Sequence, residues 1–227
     1  MHVLRALALA VVILIPTARG QESYSVEALK SAAPAGLAAP VKEAIANEGV
    51  RVLDAKGKPF VEIWTRKAIP ATGKPSGAKG TIQFPELAEG ELLGVARFVG
   101  EGHDYRDQTI PPGLYTIRYG LQPVNGDHLG VSPNRDYALL LPAAKDGEIA
   151  ALPKKTLETR SAETAGSGHP AVLMLLATPK DVKATPVIVR DEAKNTWGAV
   201  LSFPLSVKGE ASPVPLAAQL VLVGMAM

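Results

Sequence analysis

The sequence predicts an all-β fold: an antiparallel β-sandwich, immunoglobulin-like or jelly-roll-like, with short N-terminal helices. From Gly49 onward, apolar and polar residues alternate with a period of two, which is typical of strands with one buried face. Glycine and proline, which number 21 and 19 in the whole 227-residue chain, divide this part into many short runs. No long helical pattern separates the runs, so about nine to eleven strands are expected to pair antiparallel.

The N-terminus has the organisation of a signal peptide. Arg5 gives a short positive start, an apolar run follows at 6–15, and Ala18 and Gly20 are the small residues that precede a cleavage site. We expect residues 1–20 to be removed and the protein to be exported, to the periplasm or the cell exterior. The apolar run is shorter than the roughly 20 residues that span a bilayer, so no integral membrane segment is expected after cleavage. A retained N-terminal anchor is the alternative.

Two features of the composition narrow the function. The chain has no cysteine, which excludes a lipid-anchored lipoprotein, a disulfide framework, a blue-copper site and a thiol nucleophile. Lys plus Arg number 24 against 22 Asp plus Glu, and losing Arg5 and Arg19 with the leader would leave 22 of each. A near-neutral chain without a basic block is not expected to bind nucleic acid.

Residues 21–48 are predicted to form an N-terminal helical segment ahead of a β-sandwich domain at 49–227. The stretches SYSVEALKSAA and APVKEAIANEG each predict a short helix. Pro40 suits the first turn of the second helix, and Gly49 suits its end.

Turn residues organise the β domain. The runs 50–54 and 59–66 predict a hairpin, because Gly57 lies in the connection between them. Pro112-Gly113 predicts a type II turn, with a positive φ at the glycine, leading into an alternating strand.

The other predicted strands are short apolar runs, and two further stretches are interpreted separately. The polar stretch 154–168 is expected to be an exposed loop. The uncharged tail 216–227 is too short to span a membrane and is expected to be a final strand. The remaining predicted strands are at 81–84, 91–100, 137–143, 171–177, 185–190 and 196–207.

The segment QTIPPGLYTIRYG, residues 108–120, resembles a pattern found in uncharacterised secreted bacterial β-sandwich domains. In those domains a strand is entered through a Pro/Ala-Gly-x-Tyr turn, here at residues 112–115. The stretch KPFVEIWTRKAIPA, residues 58–71, is similar to the lead hairpin of such domains. The resemblance implies a sandwich fold, and it implies no activity, cofactor or site residue.

Metal binding is one hypothesis, because histidine and carboxylate are the natural ligands left when cysteine is absent. After the leader, histidine occurs as His103, His128 and His169, and both His103-Asp104 and Asp127-His128 put a carboxylate beside an imidazole. A shared divalent metal needs two loops to meet, although a strand at about 3.3 Å per residue separates them. Spacings such as HExxH are missing. Loop histidines bonded to backbone or water are therefore the alternative.

Ligand binding through exposed aromatic and polar side chains is the second hypothesis. The polar stretch 125–136 is twelve residues long, more than a hairpin turn needs. Ion pairs could make this stretch rigid without any ligand. They would form between Arg135 and Asp136, or between these two residues and Arg106-Asp107. For Trp64, core packing is the alternative. The candidate ligand-binding residues are Tyr105, Arg106, Arg135, Tyr137 and Trp64.

Sequence motifs for catalysis are missing, since the chain has no GxSxG elbow, P-loop or strand-linked GxGxxG. We therefore expect an exported, non-catalytic binding or interaction protein without a cofactor, whose partner is a protein or a glycan. The alternative is a metal-binding protein or a metal-dependent hydrolase that uses His103, Asp104, Asp127 and His128.

Overall fold

The computed structural model describes residues 23–124 and 134–224, so the predicted signal peptide and the stretch 125–133 lie outside the described residues. Strands account for 44% and helices for 11%, which confirms the all-β class. The helices are α1 (Ala39–Ala44) and α2 (Lys154–Ala165), and a 3₁₀ turn covers Ala143–Lys145. The strands are β1 (Ser25–Leu29), β2 (Gly49–Leu53), β3 (Pro59–Thr65), β4 (Ile69–Ala71), β5 (Leu92–Phe98), β6 (Gly102–His103), β7 (Thr109–Ile110), β8 (Gly113–Leu121), β9 (Asp136–Pro142), β10 (Ala171–Ala177), β11 (Val187–Asp191), β12 (Thr196–Val207) and β13 (Val214–Val223).

One curled sheet contains most of the strands, in the order β1-β2-β3-β5-β8-β9-β10-β13-β12-β11. Neighbours along this order are antiparallel, whereas β4 pairs parallel with β12 and makes the sheet mixed. The hairpin β6–β7 is separate. The end strands β1 and β11 approach each other, and near them the rings of Tyr24 and Trp197 lie 5.5 Å apart. The predicted antiparallel sandwich is not confirmed, because a single sheet curls around the core.

The main hydrophobic core fills the inside of the curl. Alternate residues of each strand point inward, such as Val61 and Ile63 of β3, Ile117 and Tyr119 of β8, and Leu220 of β13. Burying an aliphatic side chain of this size stabilises the fold by about 1.5–3 kcal/mol. Because the chain has no cysteine, this burial takes the place of disulfide bonds in holding the fold together.

The N-terminal segment covers part of the outer face of the sheet. Val41 and Ile45, in and next to α1, pack against Trp64 of β3, which is 1% exposed. The indole Nε1 of Trp64 donates a 2.7 Å hydrogen bond to the carbonyl of Ser31. A side chain at Gly49 would place its Cβ 2.7 Å from the indole ring, so the close approach requires glycine.

The first predicted helix is wrong, because its residues form strand β1. Its Glu27 lies opposite Arg51 of β2, with Oε1 and Nη1 3.1 Å apart. Arg51 lies opposite Glu62 of β3 at 2.8 Å, and Glu62 lies opposite Arg97 of β5 at 2.5 Å. We call this row, Glu27, Arg51, Glu62 and Arg97, the charge ladder. Each opposite-charge pair across strands contributes about 0.2–1 kcal/mol, which here outweighs a helical propensity.

The exposed loop predicted at 154–168 is also wrong, because helix α2 occupies most of it. Leu157, Ser161 and Thr164 are its buried residues and lie on one face. The hydroxyl of Ser161 donates to a carbonyl of β10 at 3.2 Å, and that of Thr164 donates to a carbonyl of β9 at 2.8 Å. The helix ends at Gly166, which has the left-handed φ of 60°. Its buried face is therefore partly polar, and hydrophobic periodicity does not reveal it.

Two smaller predictions are wrong. Residues 81–84 do not form a strand, because the backbone N–H groups of Gln83 and Phe84 donate to the carboxylate of Asp136 at 2.7 and 3.1 Å. Gly113 begins β8 without the positive φ that a type II turn requires.

Several other predictions are confirmed. β2 and β3 form the predicted hairpin, in whose turn Gly57 has a φ of 73° and Asp54 accepts two backbone hydrogen bonds of 2.8 Å. The second N-terminal helix is α1, with Pro40 in its first turn. The apolar tail forms most of β13.

A buried ion pair ties β8 to the connection that follows β9. Arg118 and Asp146 are completely buried, and the guanidinium donates from Nε and Nη2 to the carboxylate at 2.6 and 2.8 Å. The remaining N–H groups donate to the carbonyls of Gly90 at 2.8 Å, Ala150 at 2.9 Å and Glu148. All of the guanidinium donors therefore have acceptors, as a buried arginine requires.

A second buried carboxyl group has one oxygen without a partner in the described part of the chain. Glu86 is 4% exposed, and its Oε2 atom accepts no hydrogen bond from the described residues. Burial raises the pKa of the Glu86 carboxyl group, and the nearby carboxylate of Asp136 raises it further. Asp136 is itself fixed by a 2.6 Å hydrogen bond from the hydroxyl of Tyr119.

Asp146→Ala is expected to destabilise the protein by about 3–5 kcal/mol, because it leaves the Arg118 charge buried without its partner. Urea unfolding measures the change as a fall in midpoint. The control is Glu163→Ala, which breaks the exposed ion pair with Lys145 and should cost less than about 1 kcal/mol. Equal losses in the two variants would show that the buried pair has no special weight.

Glu86→Gln is expected to change how stability depends on pH. The folded-state pKa of Glu86 lies above its unfolded value of about 4.3. Protonated Glu86 therefore contributes its full stability to the folded wild type below about pH 4.3, and this contribution is lost as the pH rises through the folded-state pKa. The free energy of unfolding of the variant, minus that of wild type, should therefore increase as the pH rises from about 4.3 through the folded-state pKa of Glu86. Urea titrations at several pH values test this, with the exposed Glu43→Gln as the control. A difference that does not vary with pH would contradict it.

Candidate functional site

A groove of about 550 Å³ lies on the outer face of β10, β11 and β13. Its floor is aliphatic. Met174 and Leu176 alternate with core-facing residues of β10 and so point away from the core. Val189 of β11 and Val221 of β13 extend this floor. A concave surface of this volume with an apolar floor is typical of small-ligand sites.

Gln219 of β13 is a buried polar side chain in the groove, with an exposed fraction of 4%. Its carboxamide lies over Gly198 of β12, where a Cβ would come within 2.6 Å of Nε2. Within residues 23–124 and 134–224, the carboxamide has no hydrogen-bond partner. Both of its polar atoms are accessible from the groove. Buried amides nearly always have partners, so this group is available to a ligand.

The hairpin β6–β7 forms one wall of the groove. Asp104 is completely buried and accepts four hydrogen bonds, three of 2.8 Å from Arg106 N, Gln108 N and Gln108 Nε2, and one of 3.0 Å from Val172 N of β10. The N–H of Tyr105 donates to the carbonyl of Val172 at 2.8 Å. The predicted metal ligand Asp104 is therefore an anchor for the hairpin, since its oxygen lone pairs are already used.

Tyr105 is the one predicted ligand-binding residue that lines the groove. It is half-buried, and its ring lies 6.3 Å from that of Tyr137, measured between centroids. Burial raises the pKa of the Tyr105 phenol, so it keeps its proton at neutral pH. Tyr137 is buried beneath it and donates a 2.9 Å hydrogen bond to Oε1 of Gln122. Tyr137 therefore supports Tyr105 instead of facing a ligand.

The other predicted ligand-binding residues are not part of the groove lining. Trp64 is in the core beneath α1. Arg106 is exposed, on the same hairpin as the groove wall. Nε of Arg135 donates to the carbonyl of Gln122 at 2.8 Å. The expected pairing of Arg135 with Asp136 is not seen, because that carboxylate accepts the hydrogen bonds described above.

The structure gives His103 no metal-ligand geometry. Its Nδ1 lies 3.1 Å from Oδ1 of Asp107, and its Nε2 lies 3.8 Å from Oε1 of Glu101, so the two carboxylates lie beside opposite nitrogens. Over the described ranges, no group of three or more His, Cys, Asp or Glu side chains could hold a metal ion. Asp127 and His128 lie outside these ranges, so a site shared with His103 stays a prediction.

Charged residues also line the groove. Asp191 lies 3.6 Å from the ammonium of Lys194. Nη1 of Arg190 lies 3.8 Å from Oε1 of Glu192. The guanidinium carbon of Arg190 lies 5.1 Å from the ring centroid of Trp197, on β12. Asp181 is exposed and makes no ion pair or hydrogen bond with the part of the chain that is described. Among the described lining residues, three carboxylates stand against two cations, and the Asp181 carboxylate is the unbalanced charge because no cationic nitrogen lies within 4 Å of it. Nε and Nη1 of Arg190 are buried and have no hydrogen-bond partner among the described residues.

Sequence reasoning missed Gln219. The run LAAQLVLV contains a single polar residue among apolar ones, and its pattern predicts only a final strand. A lone amide in such a strand is the signal that could have identified it, because a polar group there needs a partner.

Comparison of the chain with protein-family models, with curated proteins and with solved structures finds no match. In the described ranges, neither helix has the length and apolar character that crossing a membrane requires.

Gln219→Leu is expected to keep or raise the free energy of unfolding, by at most about 1 kcal/mol, because the carboxamide has no hydrogen bond to a described residue to lose and leucine suits the apolar floor. The matched control is Gln122→Leu, at a glutamine that is also buried but accepts the Tyr137 hydrogen bond. That change should destabilise by about 1–3 kcal/mol. Urea unfolding of both variants gives the two signs, and destabilisation by Gln219→Leu would mean that the amide has a structural partner.

Proposed function

We propose that this protein is an exported, non-catalytic binding protein whose ligand occupies the groove between the β6–β7 hairpin and strands β10, β11 and β13. The observation that carries the proposal is Gln219, a buried amide on an apolar floor that no described residue satisfies. Export itself rests on the signal-peptide pattern at residues 1–20.

The energetics of Gln219 favour a ligand over a purely structural role. Both polar atoms of the carboxamide stay accessible from the groove, so water can hydrogen-bond to them when no ligand is bound. Its neighbours on β13 are apolar, and Val221 on the same face is aliphatic, so leucine would suit this surface. A ligand that covers the aliphatic floor would displace this water and take over its hydrogen bonds to the carboxamide.

The lining supports binding more than catalysis. The described residues that line the groove include no histidine, serine or cysteine, and the Lys194 ammonium lies beside Asp191. Nothing comparable supports the alternative of a metal centre at His103, Asp104, Asp127 and His128, because the carboxylate of Asp104 already anchors the hairpin.

Binding is tested by applying the purified protein to an array of short peptides and an array of glycans. Wild type is expected to bind members of one array saturably. Val189→Trp should abolish this binding, because the indole fills the groove floor. The matched control is Val99→Trp at a position that is 43% exposed and not part of the groove, and it should bind like wild type. Absence of saturable binding to both arrays, or binding that survives Val189→Trp, would overturn the proposal.

A further inference from the structure

Building on the proposed function, we infer that the groove takes a peptide segment in which an apolar side chain lies next to a positively charged group. Three features of the lining lead to this ligand class: the aliphatic floor, the carboxamide of Gln219 and the unbalanced carboxylate of Asp181.

The floor selects for an apolar side chain. Met174, Leu176, Val189 and Val221 offer methyl and methylene groups. Such a surface gains free energy by removing another apolar side chain from water. It offers few partners to a sugar, whose hydroxyl groups would lose their hydration over it.

Gln219 selects for a peptide group beside that side chain. A carboxamide has one acceptor oxygen and two donor hydrogens, so it can accept from a peptide N–H and donate to a peptide C=O. The carboxamide lies over Gly198, where a Cβ would come within 2.6 Å of Nε2, so the glycine leaves room for the amide in the groove lining. Bonds of this kind recognise the backbone, and the floor then selects the side chain.

Asp181 selects for positive charge. Asp191 is close to Lys194 and Glu192 is close to Arg190, whereas no nitrogen of a described lysine, arginine or histidine forms an ion pair within 4 Å of the Asp181 carboxylate. A lysine or arginine side chain of the ligand, or its terminal amine, would complete the charge balance of the lining.

A glycan is the alternative occupant that the structure favours less. Sugar sites commonly use an open aromatic face, and the aromatic residue of this lining is Tyr105. Its ring is half-buried and lies against Tyr137, which leaves less of the ring for stacking.

Fluorescence polarisation tests the inference with labelled, end-blocked tetrapeptides of sequence Gly-Xaa-Lys-Gly, where Xaa is Leu, Ile, Val, Met or Phe. A second set replaces Lys by norleucine, which keeps the apolar stem and removes the charge. At least one lysine peptide is expected to bind wild type saturably. Asp181→Asn should weaken this binding about fivefold, as for the loss of a partly exposed ion pair, and leave the norleucine peptide unaffected. The exposed control Glu43→Gln should change neither affinity.

The outcomes separate this inference from the proposed function. If no lysine peptide binds, or if Asp181→Asn has no effect on lysine peptides, the inference is overturned. Glycan binding that Val189→Trp abolishes would overturn it as well and leave the proposed function in place. Binding of any probe that persists in Val189→Trp would overturn both.

Discussion

The structure depends on burying one full positive charge, the guanidinium of Arg118, on the outer face of the sheet. Removing this charge from water costs several kcal/mol, so the fold must supply an acceptor for each N–H group. Residues 146–150 supply four of these acceptors and are thereby held against β8. Arg66 adds a 3.0 Å bond to the carbonyl of Ile149. The chain then leads into α2, whose Leu157 packs in the same cluster as groove floor residues.

The parts of the fold that could be predicted are those in which side-chain alternation and turn chemistry agree. The β2–β3 hairpin and β9 are of this kind. β1 could not be predicted, because SVEAL has good helix formers and no clear alternation, and its conformation depends on pairing with β2, where Glu27 meets Arg51. α2 was missed because Ser161 and Thr164 are buried through hydrogen bonds to sheet carbonyls. The curl of the sheet depends on which distant strands pair, which local patterns do not specify.

The site was predictable to a smaller extent. Tyr105 stood out because its neighbours in sequence are polar, and the structure places it in the groove wall. The groove itself combines residues from β6–β7, β10, β11 and β13, so its shape appears only after the sheet has formed. Asp104 looked like a metal ligand because it follows a histidine, yet its carboxylate satisfies backbone N–H groups. Gln219 and Arg118 resembled ordinary strand residues, since burial and partners cannot be read from spacing alone.

The charge ladder has a consequence for how the N-terminal strand finds its place. Sliding β1 by two residues would keep the same side chains facing outward, but Glu27 would then lie opposite Gly49 or Leu53 in place of Arg51. Apolar contacts distinguish these alignments poorly, because β1 contributes few inward side chains. The ion pair between Glu27 and Arg51 therefore selects the correct register of β1. Salt screens the attraction between exposed charges, so the register of β1, unlike that of the interior strands, is less strictly defined at high salt concentration.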